Sequence, residues 1–361
     1  MNLAQNYQYI YLAIVSVLSF SLFSKYRAEN RSVSNNAASI ILLVFMILFI
    51  GLRPVSGKAF VDMAGYAYRY RQLLGQPFEF DPNAENYLFD NLAPFMASMS
   101  MPLWSFFTVV AAMYFGFMYW ACKRFFGDDV YAAFLVCLAA FSTFSYGTNG
   151  IKAGLAASFF LLAMSYMDRW WLCIPMALVS KGLHHSMTLP IVAFFCAFLY
   201  SKPKYYFYVW VLSIFMALAH VGFFANFFAS LTDDRGADYL IGETTTHVRF
   251  RLDFILYSAM PVWLGWRYLR RNPDCSLTYR RLLCTYLLAN SVWMLCMYAN
   301  FNNRIAYLSW FMYPIVLIYP ILKDEWDETE RYPFFAKVGS YHLCFTLFMV
   351  VVYYGLLHLG H

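Results

Sequence analysis

The sequence predicts an all-α polytopic membrane protein with about 12 transmembrane helices, and three observations lead to this fold class. Of the 361 residues, 61% are apolar and only 13% are charged, whereas soluble chains average about 25% charged residues. Aromatic residues reach 21%, typical of rings that face acyl chains or lie at the headgroup level. The apolar stretches are continuous, which excludes the alternating strands of about ten residues that build a membrane β-barrel.

The apolar runs approach the roughly 20 residues that a helix needs to cross about 30 Å of hydrocarbon. In order, they are residues 7–24, 37–52, 103–122, 130–146, 151–167, 170–183, 184–200, 205–231, 252–269, 282–300, 305–322 and 338–357. A polar stretch, residues 180–186, separates the sixth run from the seventh. Because such a stretch is too polar for mid-membrane lipid, we expect one of these two helices to be broken or re-entrant.

Residues 1–361 are predicted to form a single integral membrane domain with two long connections, 53–102 and 232–251, on one face. Cytoplasmic loops retain Lys and Arg, and most of the 26 basic residues fall on the opposite face. Both long connections and both termini are therefore expected on the outer face. Loops of this length in a compact fold are usually functional or disordered.

The first long loop carries apolar and aromatic residues at near-helical spacing, which predicts a helix lying at the membrane interface. These residues are Phe60, Met63, Tyr66, Tyr70 and Leu74.

Motifs of soluble enzymes are absent from the chain. It has no Walker loop, no GxGxxG, no HExxH and no DxD metal–nucleotide motif, so a nucleotide-sugar donor is not expected. The eight cysteines form no CxxC pair and lie mostly in apolar runs, as core residues do. We therefore expect no metal site, no cofactor and no nucleic-acid partner.

Ionisable groups gather at the outer ends of the apolar runs, where charge is costly enough to suggest function. The basic members are Arg53, Lys152, Arg249, Arg251 and Arg304. Fixed cations at one membrane face suit a phosphate or diphosphate, to which Arg offers bidentate contacts and Lys a point charge. The same residues are also consistent with snorkelling anchors, and Asp62 and Asp253 with simple partners of Arg53 and Arg251.

Two histidines, His184 and His185, precede Ser186 in the polar break. Histidine is the residue type whose ordinary pKa, about 6.5, lies near neutral pH, so it suits a general base. A satisfied structural role is the alternative interpretation of this pair.

Several short motifs follow one another in an order that resembles a known family. The first of them are similar to the opening motifs of the EpsG-like branch of Wzy-type polysaccharide polymerases. They are Gly51-Leu52-Arg53, then Gly57, Asp62 and Tyr66, and then Glu85 with Phe89. Residues 149–163, which begin at Asn149, resemble its N-x-x-R-Q-x-x-A helix, and His184-x-Ser186 through Pro190 resembles its H-x-S and L-P elements. Residues 249–261 and 304–314 resemble its last two Arg-led helices.

One position departs from the family pattern. The usual Arg-Gln pair is Lys152-Ala153 here, so a bidentate contact at that position is reduced to a point charge.

The resemblance implies a GT-C-like, metal-independent polymerase of O-antigen, capsule or exopolysaccharide repeat units. Its donor and acceptor would be undecaprenyl diphosphate-linked glycans at the periplasmic face of the bacterial inner membrane, with membrane lipid around it and a chain-length regulator as a further partner. Polyprenyl diphosphate would be the leaving group.

These roles can be assigned by residue as a hypothesis. Arg249, Arg251, Arg304 and Lys152 would clamp the diphosphate, while Arg53 and Asp62 would organise the acceptor. His184 or His185 would be the base. Substrate-binding residues would further include Asn149, Tyr66 and Glu85, the tyrosine by stacking on a sugar ring.

Two other classes stay open at this stage. A flippase or transporter of lipid-linked glycans would also carry cations and histidines, although at mid-span and in repeated halves. An O-antigen ligase or a membrane acyltransferase would share the His-plus-Arg chemistry and differ in its acceptor.

Overall fold

The computed structural model describes residues 3–32, 35–220, 223, 226, 250–300, 302–324 and 330–353. Within these ranges the regular structure is helical and contains no strand. The chain divides into two compact units, unit 1 formed by Met1–Thr188 and Ile321–His361 and unit 2 formed by Leu189–Pro320.

The described helices are named here in chain order. They are α1 (Leu3–Glu29), α2 (Asn36–Gly51), α3 (Val61–Leu73), α4 (Tyr87–Asp90), α5 (Leu92–Ser98), α6 (Leu103–Phe126), α7 (Val130–Leu138), α8 (Phe141–Thr148), α9 (Ile151–Met164), α10 (Trp170–Leu183), α11 (Thr188–Leu199), α12 (Pro203–Leu218), α13 (Leu252–Arg271), α14 (Leu277–Leu295), α15 (Asn302–Trp310), α16 (Tyr313–Leu322) and α17 (Arg331–Tyr353).

Four helical segments are long and apolar enough to cross a membrane: Leu3–Glu29, Leu103–Leu138, Asn302–Leu322 and Arg331–Val351. Four shorter apolar segments accompany them, namely Asn36–Gly51, Ile151–Met164, Trp170–Leu183 and His185–Leu199. The prediction of a helical membrane protein is thus confirmed, while the figure of about 12 crossings stays a prediction.

Two of the predicted runs are each divided into two helices. Run 130–146 becomes α7 and α8, with extended backbone at Ala140. Run 305–322 becomes α15 and α16, and the break precedes Pro314, which has no backbone N–H to continue a helix. The polar stretch 180–186 ends α10 at Leu183, and a short 3₁₀ turn, His185–Met187, leads into α11.

Hydroxyl groups satisfy the carbonyls that the α7–α8 break releases. Thr143 Oγ1 donates to the carbonyl of Cys137 at 2.6 Å, and Tyr11 donates to that of Leu138 at 2.7 Å. Tyr114 donates to the carbonyl of Thr143 at 3.2 Å. In a membrane protein, a non-helical backbone inside the bilayer is tolerated only where its polar groups find partners within the protein.

Helix α3 lies in the first long loop, where a helix was predicted. Met63, Ala67 and Tyr70 are its buried residues, and Tyr70 donates to the carbonyl of Met101 at 2.9 Å. Leu74, which the spacing placed on the same apolar face, lies beyond the helix and is 40% exposed. The position of α3 at the membrane interface stays a prediction.

Helices α2 and α6 approach each other closely at Gly51. A Cβ at this position would lie 2.7 Å from Thr108 Cα, closer than carbon atoms pack. The glycine that opens the Gly51-Leu52-Arg53 motif therefore allows the backbones of two helices to meet.

In unit 2, a buried polar network centres on Asn290 of α14. Its Oδ1 accepts from the indole of Trp210 at 2.9 Å, and its Nδ2 donates to Ser258 Oγ at 3.1 Å and to Ser309 Oγ at 3.0 Å. The Trp310 indole donates to the same Ser258 Oγ at 2.8 Å. Hydrogen bonds of this kind hold apolar helices in register.

Candidate active site

Unit 1 brings together a set of polar side chains that we call the His/carboxylate cluster. Its members are Glu85, Asn86, Asp90, Lys152, His184, His185 and Ser186. Three parts of the chain supply them: α4 with the turn before it, the first turn of α9, and the break between α10 and α11.

Lys152 forms an ion pair with Asp90 through Oδ1 of the carboxylate. The two side chains are only 20% and 19% exposed. The Lys152 ammonium also lies 5.9 Å from the ring centre of Tyr66 and 5.6 Å from that of Phe89, within the range of cation–π attraction. The second carboxylate oxygen of Asp90 accepts from the backbone N–H of Asn86 at 3.2 Å.

His185 is held by both Asn86 and Glu85. Asn86 Oδ1 accepts from the backbone N–H of His185 at 3.0 Å, which identifies this atom as the amide oxygen. His185 Nδ1 lies 3.2 Å from the same oxygen and 3.1 Å from Glu85 Oε1. Because both neighbours are acceptors, Nδ1 must carry a hydrogen, and the neutral ring has its lone pair on Nε2.

His184 adopts the opposite arrangement. Its Nδ1 accepts from the backbone N–H of Ser186 at 3.2 Å and lies 2.7 Å from the Ser186 hydroxyl, so the neutral ring carries its hydrogen on Nε2. The two rings stack with their centres 4.8 Å apart. The histidine pair therefore presents one acceptor nitrogen, from His185, and one donor nitrogen, from His184.

The loop that carries Glu85 and Asn86 is held in place by hydrogen bonds on one side and by close packing on the other. Asn91 donates to the carbonyls of Asp81 at 2.8 Å and Tyr87 at 2.7 Å, and it accepts from the backbone N–H of Asp81 at 2.8 Å. On the other side, a Cβ at Gly182 of α10 would lie 2.7 Å from the Tyr87 ring. Close packing thus sets the position of α4 against the end of α10.

Asn86 and Asp90 were missed by the sequence reasoning. Asn86 lies within the Glu85–Phe89 element and Asp90 directly follows it, and their i, i+4 spacing places them on one side of a helical turn. An amide and a carboxylate beside an otherwise apolar turn, Tyr87-Leu88-Phe89, were the signal that could have found them.

Arg53 is only 4% exposed and joins the ends of α2 and α8. Its NH1 donates to the carbonyl of Ile50 at 2.7 Å and its NH2 to that of Thr148 at 2.8 Å. The rings of Phe60 and Phe107 lie 5.5 and 5.1 Å from the guanidinium carbon. Burial lowers the pKa of Arg53 to about 10, although Tyr7 acts in the opposite direction, so the group stays charged at neutral pH.

Asp62 lies half-buried on α3, and the hydrogen bonds of the Arg53 side chain go to the two carbonyls rather than to it. Asn149 lies at the break between α8 and α9, and its Oδ1 is buried with no hydrogen-bond partner among the described residues. Their assignments to substrate stay predictions.

Two of the predicted cations of unit 2 are described. Arg251 forms a bidentate pair with Asp253, at 2.9 and 2.6 Å, and lies 3.5 Å over the ring of Phe254. This is the pairing that the alternative interpretation of Asp253 anticipated. Arg304 is exposed on α15. Arg249 and nearly all of loop 232–251 lie outside the described residues.

In the part of the chain that the structure describes, no group of three or more His, Cys, Asp or Glu side chains is placed to hold a metal ion. The side chains of the His/carboxylate cluster can transfer protons and form hydrogen bonds.

The fold and the cluster together define a helical membrane protein with a cluster of histidines and carboxylates. The family model described as the EpsG family matches residues 36–358, and the chain belongs to that family. This confirms the resemblance and indicates a polysaccharide polymerase of the glycosyltransferase type. Searches of curated proteins and of solved structures gave no match.

Proposed function

We propose that this protein polymerises lipid-linked oligosaccharide repeat units, with His185 as the general base. The substrates would be undecaprenyl diphosphate-linked glycans of an O-antigen, capsule or exopolysaccharide, met at the periplasmic face of the bacterial inner membrane in a GT-C-like fold. Family membership supports polymer synthesis, and the orientation of His185 is the single observation that carries the proposed chemistry.

In the proposed reaction, a hydroxyl oxygen of the acceptor glycan attacks the anomeric carbon of the donor glycan. The bond from that carbon to the diphosphate oxygen breaks, and its electron pair leaves with polyprenyl diphosphate. The hydroxyl proton passes to His185 Nε2. Because the leaving group is already activated, the reaction requires no nucleotide.

The surroundings of His185 suit this role. Nε2 has no partner among the described residues, while Nδ1–H is directed at Glu85 and Asn86. The imidazolium formed by proton uptake would then lie beside the Glu85 carboxylate, which stabilises it. His184 differs because its Nδ1 already accepts from Ser186, so it is better placed to donate from Nε2 than to accept a proton.

Asparagine substitutions separate the two histidines. The Asn side chain can replace Nδ1 in either position, by its oxygen as the acceptor of His184 and by its NH₂ as the donor of His185, but it offers no basic nitrogen. Purified protein would be supplied with lipid-linked repeat units and the products resolved by length. We expect wild type to give a ladder of chain lengths, His184→Asn to retain one, and His185→Asn to leave only single-repeat lipid.

Each failure has a different meaning. A normal ladder from His185→Asn would refute the base assignment. Movement of the substrate across the vesicle membrane without a ladder would refute polymerisation and identify a transporter, and transfer to a non-lipid-linked acceptor without a ladder would identify a ligase.

A further inference from the structure

Asp90 connects the Lys152 ion pair to the His185 ring. One of its oxygens contacts Lys152, and the other accepts from the Asn86 backbone. Asn86 is 3% exposed, and its side-chain oxygen holds His185 through the backbone N–H and ring Nδ1. A continuous series of polar contacts thus runs from Lys152 through Asp90 and Asn86 to His185.

The charge of Lys152 is already matched within this series. Its ammonium lies against the Asp90 carboxylate and two aromatic rings, with 20% of the side chain exposed. Glu85 adds a second carboxylate on the other side of Asn86. An ammonium already paired with a carboxylate is poorly placed to bind a diphosphate, because the Asp90 carboxylate beside it would repel the anion.

We propose that Asp90 and Asn86 are positioning residues for His185, and that Lys152 acts through them rather than by binding diphosphate. The inference rests on the proposed function, since it assigns the cluster to the acceptor glycan. It also replaces the earlier role of Lys152 as part of a diphosphate clamp.

Steady-state kinetics of polymerisation test the positioning role. Asn86→Leu removes the acceptor that orients His185, and displacement of a catalytic group by about 1 Å can cost roughly 100-fold in rate. We expect kcat to fall about 10- to 100-fold, with the KM for lipid-linked donor unchanged. Asn86→Asp retains the acceptor oxygen and should recover part of kcat.

The role of Lys152 is tested in the same way, by whether its replacement changes kcat or KM. Under the proposal, Lys152→Met lowers kcat and leaves the KM for the donor unchanged. The double variant Asp90→Asn with Lys152→Met should have a kcat no lower than either single variant, because the pair acts as a unit. Lys181→Met, which removes an exposed lysine of α10, is the control. A raised KM in Lys152→Met, with kcat unchanged, would show diphosphate binding and overturn the proposal.

A measurement without turnover separates this inference from the proposed function. In ¹⁵N-histidine-labelled protein, the His185 ring signals, assigned by their loss in His185→Asn, should report hydrogen on Nδ1. In Asn86→Leu combined with Glu85→Gln, this preference should weaken. If the wild-type ring carries its hydrogen on Nε2, the positioning role is wrong even where a ladder forms. If the wild-type ring carries its hydrogen on Nδ1 but no ladder forms, the proposed function fails while the positioning of His185 by Asn86 stands.

Discussion

Replacing Arg53 should reduce the stability of unit 1 more than it changes catalysis. The guanidinium is 4% exposed and satisfies the carbonyls of Ile50 and Thr148 at 2.7 and 2.8 Å. These two bonds join the ends of α2 and α8 across a separation of 95 residues in the sequence. Arg53→Lys keeps the charge, but one ammonium cannot reproduce the forked geometry.

The magnitude follows from the bonds that are lost. A hydrogen bond from a charged donor contributes about 1.5–3 kcal/mol, so loss of one should lower the free energy of unfolding by about that amount. Arg53→Met loses both bonds but also removes a buried charge, whose desolvation opposes folding. We therefore expect the methionine variant to cost about 2–3 kcal/mol rather than twice the lysine value.

Unfolding of detergent-solubilised protein, followed by tryptophan fluorescence during denaturant titration, measures these differences. Arg69→Lys, at an exposed position of α3, is the matched control and should stay within about 0.5 kcal/mol of wild type. The reasoning is refuted if Arg53→Lys is as stable as the control. Equal stability combined with loss of polymer would assign Arg53 to the substrate instead.

Three further changes test the packing around the site and in unit 2, each by the free energy of unfolding. Gly51→Ala places a Cβ 2.7 Å from Thr108 Cα and should cost about 1–3 kcal/mol. Its control, Gly116→Ala, has no described atom beyond its own stretch of helix within 4 Å of its new Cβ and should be neutral or stabilising by up to about 1 kcal/mol. Equal free energies of unfolding for the two variants would contradict the close approach of α2 and α6. Asn290→Leu leaves the Trp210 indole without its acceptor and should cost about 1–3 kcal/mol, so a more stable variant would show that the polar network does not stabilise unit 2. Thr143→Val removes the hydroxyl donor to the Cys137 carbonyl, which keeps the Ala140 N–H at 3.2 Å, and should cost about 0.5–1.5 kcal/mol; no loss would mean that the backbone donor alone satisfies this carbonyl.

Hydropathy predicted the helices better than it predicted their continuity. Each apolar run contains helix in its described part, because a run of apolar side chains and internal backbone hydrogen bonding are both local properties. The break at Ala140 was not predictable from hydropathy, since it depends on hydroxyls from Tyr11 and Thr143 that meet the released carbonyls only in the folded chain.

The sequence also predicted many of the site residues but not how they combine. Glu85, Lys152, His184 and His185 were candidates from their types and positions, and the structure brings them together in unit 1. Asp90 and Asn86 were missed because neither has a distinctive motif by itself.

The sequence alone determined that this protein is a membrane protein, that it is helical and which family it belongs to, because composition, run length and short motifs are properties of the linear chain. Only the tertiary structure decided which charge neutralises which. It paired Lys152 with Asp90 and Arg251 with Asp253, and it placed the Arg53 guanidinium on two carbonyls. The physical reason is distance: the energy of a charge depends on what lies within a few ångströms, and for Lys152 that neighbour comes from 62 residues away in the sequence.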